Sequence, residues 1–94
     1  MKLKFSDKAD QDLENIGDYI AKDSPRRAVT FIDELQLHCK RASEQPYAYP
    51  ARGDLGPGLR MAVHGKYLIL FRPEGNTVFI ERIVHGARDL HNIL

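Results

Sequence analysis

Apolar residues recur at Ala9, Leu13, Ile16 and Ile20, at spacings of four, three and four that lay a single stripe along an α-helix. Ala28, Phe31, Ile32, Leu35, Cys39 and Ala42 form a second stripe of the same period. Ser6 stands where the first helix needs an N-cap, and Asp7 and Asp10 fall in its first turn, where the helix dipole favours acids. The pattern ends this helix near Lys22. Ser24-Pro25 starts the next one, with a capping hydroxyl followed by proline at the first helical position, where its missing N–H costs nothing. A two-residue joint forces the helices antiparallel, so residues 7–44 read as a helical hairpin. Ahead of it, Lys2–Phe5 reads as a short strand with Leu3 and Phe5 on one face.

From Gln45 to Gly58 the periodicity stops, and Pro46, Pro50, Pro57, Gly53, Gly56 and Gly58 mark a long loop. Three strands are predicted after it: Leu59–Val63, Lys66–Arg72 and Thr77–Val84. His64-Gly65 is expected to make the first hairpin turn and Pro73–Asn76 the second. The middle strand is apolar on both faces, as is Val78-Phe79-Ile80, whereas a sheet wetted on one side alternates. The helical hairpin covers one face. The tail Ala87–Leu94 is too short to cover the other, so apolar surface is expected to remain for a partner. Leu90, Ile93 and Leu94 predict a short helical turn on the sheet, with Arg88 and His91 facing outward. The expected fold is α+β in a single domain over 1–94: an N-terminal strand, a two-helix hairpin, a three-stranded antiparallel meander and a short C-terminal helical turn.

Composition narrows the classes. Residues 45–94 carry six Lys/Arg against four Asp/Glu and three of the four histidines, a mildly basic half. That is well short of the balance of a dedicated nucleic-acid binder. One cysteine excludes an internal disulfide framework and points to a reducing compartment. Neither a signal-like run nor about 20 consecutive apolar residues is present, so a cytoplasmic protein is expected. His85 and His91 lie six apart without a third ligand, which speaks against a metal, and no cofactor motif occurs. Cys39 lies on an apolar stripe and reads as core. Tyr19 and Phe31 read as core or as the seam of the hairpin.

Several segments resemble one family in order and spacing. Asp12-Leu13-Glu14-Asn15-Ile16-Gly17-Asp18-Tyr19-Ile20-Ala21 with Ser24-Pro25-Arg26-Arg27-Ala28 is similar to the first helix and helix joint of ParE toxins, a branch of the RelE/ParE superfamily of bacterial toxin–antitoxin pairs. Gly58-Leu59-Arg60, His64-Gly65-Lys66-Tyr67-Leu68-Ile69 and Val84-His85-Gly86-Ala87-Arg88-Asp89-Leu90 resemble its later strands and C-terminal signature. The resemblance runs from about Phe5 to Leu94. It implies a small toxin neutralised by a tightly bound antitoxin. For the ParE branch it implies inhibition of DNA gyrase by binding; for the RelE branch it implies cleavage of mRNA on the ribosome.

The residues bear on that choice. Cleavage through a ribose 2′-OH needs a base, cations on the phosphorane and an acid on the leaving oxygen. Arg60 and Arg82 match the strand arginines that the RelE branch uses, and His85 or His91 would have to replace its C-terminal tyrosine. With that tyrosine absent and no lysine-rich loop, the reading is a non-enzymatic gyrase inhibitor. A ribosome-dependent nuclease and a non-toxic binding homologue are the alternatives. The expected partner surface takes in Arg60, Tyr67, Ile69, Phe71, Arg82, His85, Arg88 and Leu90. The structural reading of the arginines is ion pairing to Glu81, Asp89 or Asp54.

Overall fold

The structure, a computed structural model, describes residues 1–94. Strand β1 (Lys2–Phe5) leads into helix α1 (Asp7–Ala21), then α2 (Pro25–Glu44), β2 (Arg60–His64), β3 (Tyr67–Glu74) and β4 (Thr77–His85). Both caps form as the hydroxyls suggest. Ser6 accepts from the Ala9 N–H at 3.0 Å and Ser24 from Arg27 at 3.1 Å.

The four strands make one sheet in the order β1-β4-β3-β2, with β1 parallel to β4 and the other pairs antiparallel. The first hairpin turn falls one residue later than expected, and the second is shorter, keeping only the last two of the four residues expected. His64 pairs with Tyr67, so Gly65-Lys66 is the first turn, and Glu74 pairs with Thr77, so Gly75-Asn76 is the second. In each, glycine takes the first turn position at φ +59°, a conformation other residues rarely adopt. The period-two pattern locates a hairpin but does not say which side of the glycine turns.

Both helices lie on one face of the sheet. Leu13 and Ile16 of α1 and Leu35, Cys39 and Ala42 of α2 pack with Ile69, Phe71, Val78, Ile80 and Ile83 of β3 and β4. Tyr49, from the loop, meets the Phe71 ring edge-on at 5.6 Å. Burial raises the Cys39 thiol to about 12, so it stays protonated as a small core residue.

The second face corrects the expectation of an uncovered sheet. Leu59, Leu70 and Val84 on that side are buried. The chain covers them itself, because the loop and the tail meet there. Asp54 is held by Arg52 at 2.9 Å and by His91 at 3.4 Å, and the Arg82 guanidinium donates to the Ile93 carbonyl at 3.0 Å. The tail ends in a 3₁₀ turn, Leu90–Asn92, capped by Asp89. At the free edge of β2 the loop supplies partial pairing: Arg52 N–H donates to the Leu59 carbonyl and Met61 N–H to that of Pro50. Only the end of β2, around exposed Val63, is left open.

Candidate partner-binding cleft

β1 ends at Phe5, so β4 runs on past its neighbour with unpaired backbone groups. The start of α1 satisfies them. The Ser6 hydroxyl donates to the Glu81 carbonyl at 2.7 Å, and the Asp12 carboxylate accepts the Ile83 N–H at 2.9 Å. The same carboxylate takes the Arg82 guanidinium in a two-pronged pair, 2.8 and 2.9 Å. Asp12 is 8 % exposed and almost all of its acceptor capacity is used. Its hydrogen bond is the main reason the Arg82 guanidinium is held more firmly protonated than usual. The sequence suggested Glu81, Asp89 or Asp54 as partners for the arginines; the partner of Arg82 lies instead on the first helix.

Beyond this lock the C-terminal half of α1, the start of β3 and the end of β4 frame an open cleft of about 380 Å³, lined by Tyr19, Lys66, Tyr67 and His85. It continues into a smaller recess of about 170 Å³ that adds Asn15 and Arg88 to the wall and the locked Asp12 to the floor. Tyr67 and His85 face each other across the ladder with rings edge-on at 5.5 Å. Burial, with Tyr19 nearby, raises the Tyr67 phenol, which therefore stays neutral. The His85 Nδ1 accepts the Ala87 N–H at 3.1 Å and so fixes the turn that follows β4. Neither Lys66 nor Arg88 has a carboxylate partner.

The expected surface residues therefore separate. Tyr67, His85 and Arg88 come together in the cleft. Arg60 lies on the far strand, donating to the Tyr49 carbonyl at 2.7 Å with its guanidinium 4.8 Å over the Tyr47 ring. Leu90 is half-buried in the tail. Ile69 and Phe71 are 0 % exposed under the helices and offer nothing to a partner, because the apolar run of β3 serves this chain's own core. Tyr19, expected in the core or at the hairpin seam, is 68 % exposed. It flanks the stripe that ends at Ile20 without belonging to it, and its place beside Ile20 in the sequence was the signal available.

Arg60 and Arg82 also point apart. Arg60 pairs across the ladder with Phe71 and Arg82 with Leu70, adjacent residues of β3 that face opposite sides of the sheet. One guanidinium ends on the loop, the other on Asp12 and the tail. No group of three or more His, Cys, Asp or Glu side chains is arranged to hold a metal ion, and no helix is long and apolar enough to cross a membrane.

Residues 3–90 match the family model described as ParE toxin of type II toxin–antitoxin system, parDE. Among solved structures, the chain is similar to one from the chromosomal ParDE TA system of P. aeruginosa, at 26 % identity and a TM-score of 0.78, over 90 % of this chain and 95 % of that one. It is also similar to one from the RelBE2 toxin–antitoxin complex of Mycobacterium tuberculosis, at 26 % identity and a TM-score of 0.60, over 93 % and 92 %. No curated protein is matched by sequence.

Proposed function

Because the chain belongs to the ParE toxin family of type II toxin–antitoxin systems, we propose that it acts as a toxin that inhibits DNA gyrase by binding and is neutralised by a cognate antitoxin. One observation favours a binding protein over a nuclease: the two arginines a nuclease would need diverge. A phosphorane is stabilised by cations converging on one oxygen set. Arg60 and Arg82 lie on opposite faces, and Arg82 is committed to Asp12, Ile93 and the hold of α1 on the sheet.

The antitoxin enters this reading through the cleft. Both similar structures come from toxin–antitoxin systems. Lys66 and Arg88 lack acidic partners, and exposed Tyr19 offers an aromatic wall beside Tyr67. A segment carrying an acid and an apolar anchor fits such a surface.

Purified protein, gyrase and supercoiled plasmid test the target. Cleaved plasmid trapped with gyrase, and intact mRNA in a translating extract, are the expected results. Codon-specific mRNA cleavage with gyrase unaffected would establish the nuclease reading instead.

A further inference from the structure

Where α2 crosses the end of β2, one strand over from Tyr67, two histidines far apart in sequence meet. His38 of α2 and His64 at the end of β2 place their Nδ1 atoms 2.9 Å apart, with ring centroids at 5.1 Å. At that distance one Nδ1 must carry a proton and the other a lone pair. It is the only side-chain hydrogen bond between α2 and the sheet. The pair borders a cleft of about 340 Å³ formed with Glu34, Leu37, Arg41 and Tyr49.

We propose that His38 and His64 form a proton-operated latch, holding α2 to the open end of β2 while the pair carries at most one positive charge and releasing it when both rings are charged. In the neutral pair, the ring donating from Nδ1 has its lone pair at Nε2. A first proton goes there and gives imidazolium donating to imidazole, a stronger charge-assisted bond. A second proton can go only to the accepting Nδ1. It removes the bond and sets two N–H groups and two cations face to face.

The surroundings resist that second charge. Burial is the first cause holding His38 below its ordinary value, with His64 and then Arg41 acting in the same direction. Glu34 is the one carboxylate in the cleft; it attracts a charge on His64, but Arg27 holds it at 2.7 Å and it does not relieve His38. Phe31 packs edge-on against His64 at 5.5 Å, Tyr49 lies 6.1 Å from His38, and Tyr67 is the ladder partner of His64. None of these three supplies a negative charge near neutrality. The folded state excludes a proton that the unfolded chain binds near pH 6.5, so the latch contributes fully above that pH. Its contribution is lost as pH falls from there through the lower folded value.

Histidine-ring NMR on the full chain, with amide exchange corrected for intrinsic rate, tests the latch between pH 8 and 5. His38 and His64 should titrate as a coupled pair. The lower step should raise exchange at the Ala62 amide, which faces β3 opposite Ile69, about tenfold for each unit that the pair's second step lies below a free histidine. His64→Gln keeps a hydrogen-bonding group without a charge, and should remove the acid-driven rise while the fold persists. His64→Phe should let His38 titrate in a single step. Independent titration of the two rings, or an undiminished acid-driven rise at Ala62 in His64→Gln, would overturn the proposal.

Discussion

α1 and α2 cover the same face of the sheet but are fastened by different chemistry. α1 is fixed by Asp12, which joins Arg82 and the Ile83 amide, and by Ser6 on Glu81. Those bonds run to the part of β4 that β1 leaves unpaired, so the helix doubles as the missing strand. α2 is held by apolar side chains, Leu35, Cys39 and Ala42 among them, and by the single His38–His64 bond. A buried ion pair fixes geometry but tolerates no loss of a partner; packing tolerates small shifts. The cleft, with Tyr19 and Asn15 on α1, is thus built on the rigid side, and the titratable seam lies on the adjustable one.

Breaking the rigid seam should cost most. Asp12→Ala strands the Arg82 charge and the Ile83 amide, with an expected loss of about 3–5 kcal/mol. The shift of the urea midpoint at constant slope measures it. Replacing Asp12 and Arg82 together with leucine and methionine should recover part of that loss, since no charge is left uncompensated while the Ile83 amide still lacks its acceptor. On the packing side, Leu35→Ala removes a side chain with 0 % exposure and should cost about 2–5 kcal/mol by the same measurement. A loss below about 1 kcal/mol would show that α2 contributes little to the core, and the contrast between the helices would fail.

Ser6→Ala sharpens the comparison at smaller scale. It removes the α1 cap and the bond to Glu81, and should cost about 1–2 kcal/mol. Ser24→Ala, at the cap of α2, lacks a second bond to the sheet and should cost less. Smallest of all is the double variant Tyr19→Ala with Arg88→Ala, expected to change stability by no more than about 0.5 kcal/mol because both side chains are exposed. The same variant should weaken antitoxin binding by calorimetry; unchanged affinity would move the antitoxin away from the cleft.

Local signals in the sequence were enough for the helices. Stripes at 9-13-16-20 and 28-31-32-35-39-42, Ser6 and Ser24-Pro25 specify their spans almost to the residue, because periodicity and caps act over neighbouring turns. The meander was legible too, though its turns slipped. What could not be read were pairings set by topology. An aspartate at position 12 looks like any solvated helix acid until α1 is known to lie beside the bare end of β4. His38 and His64 stand 26 positions apart, and no periodicity links them. Of the expected surface, Tyr67, His85 and Arg88 converge because the β3–β4 ladder and its turn bring them together. Ile69 and Phe71 were misread because an apolar strand gives no sign of which of its faces this same chain will cover.

The parallel pairing of β1 with β4 also dictates an order of assembly. Ser6 reaches Glu81 across 75 positions, and Asp12 reaches Ile83 across 71. During synthesis the helical hairpin can form from local contacts, while the first strand waits for nearly the whole chain to be translated. Local contacts within the hairpin can therefore form before the sheet is complete, and the Asp12 lock can close only once β4 is available. The cleft takes shape only with that closure, so the surface proposed for the antitoxin is among the last parts of the molecule to mature.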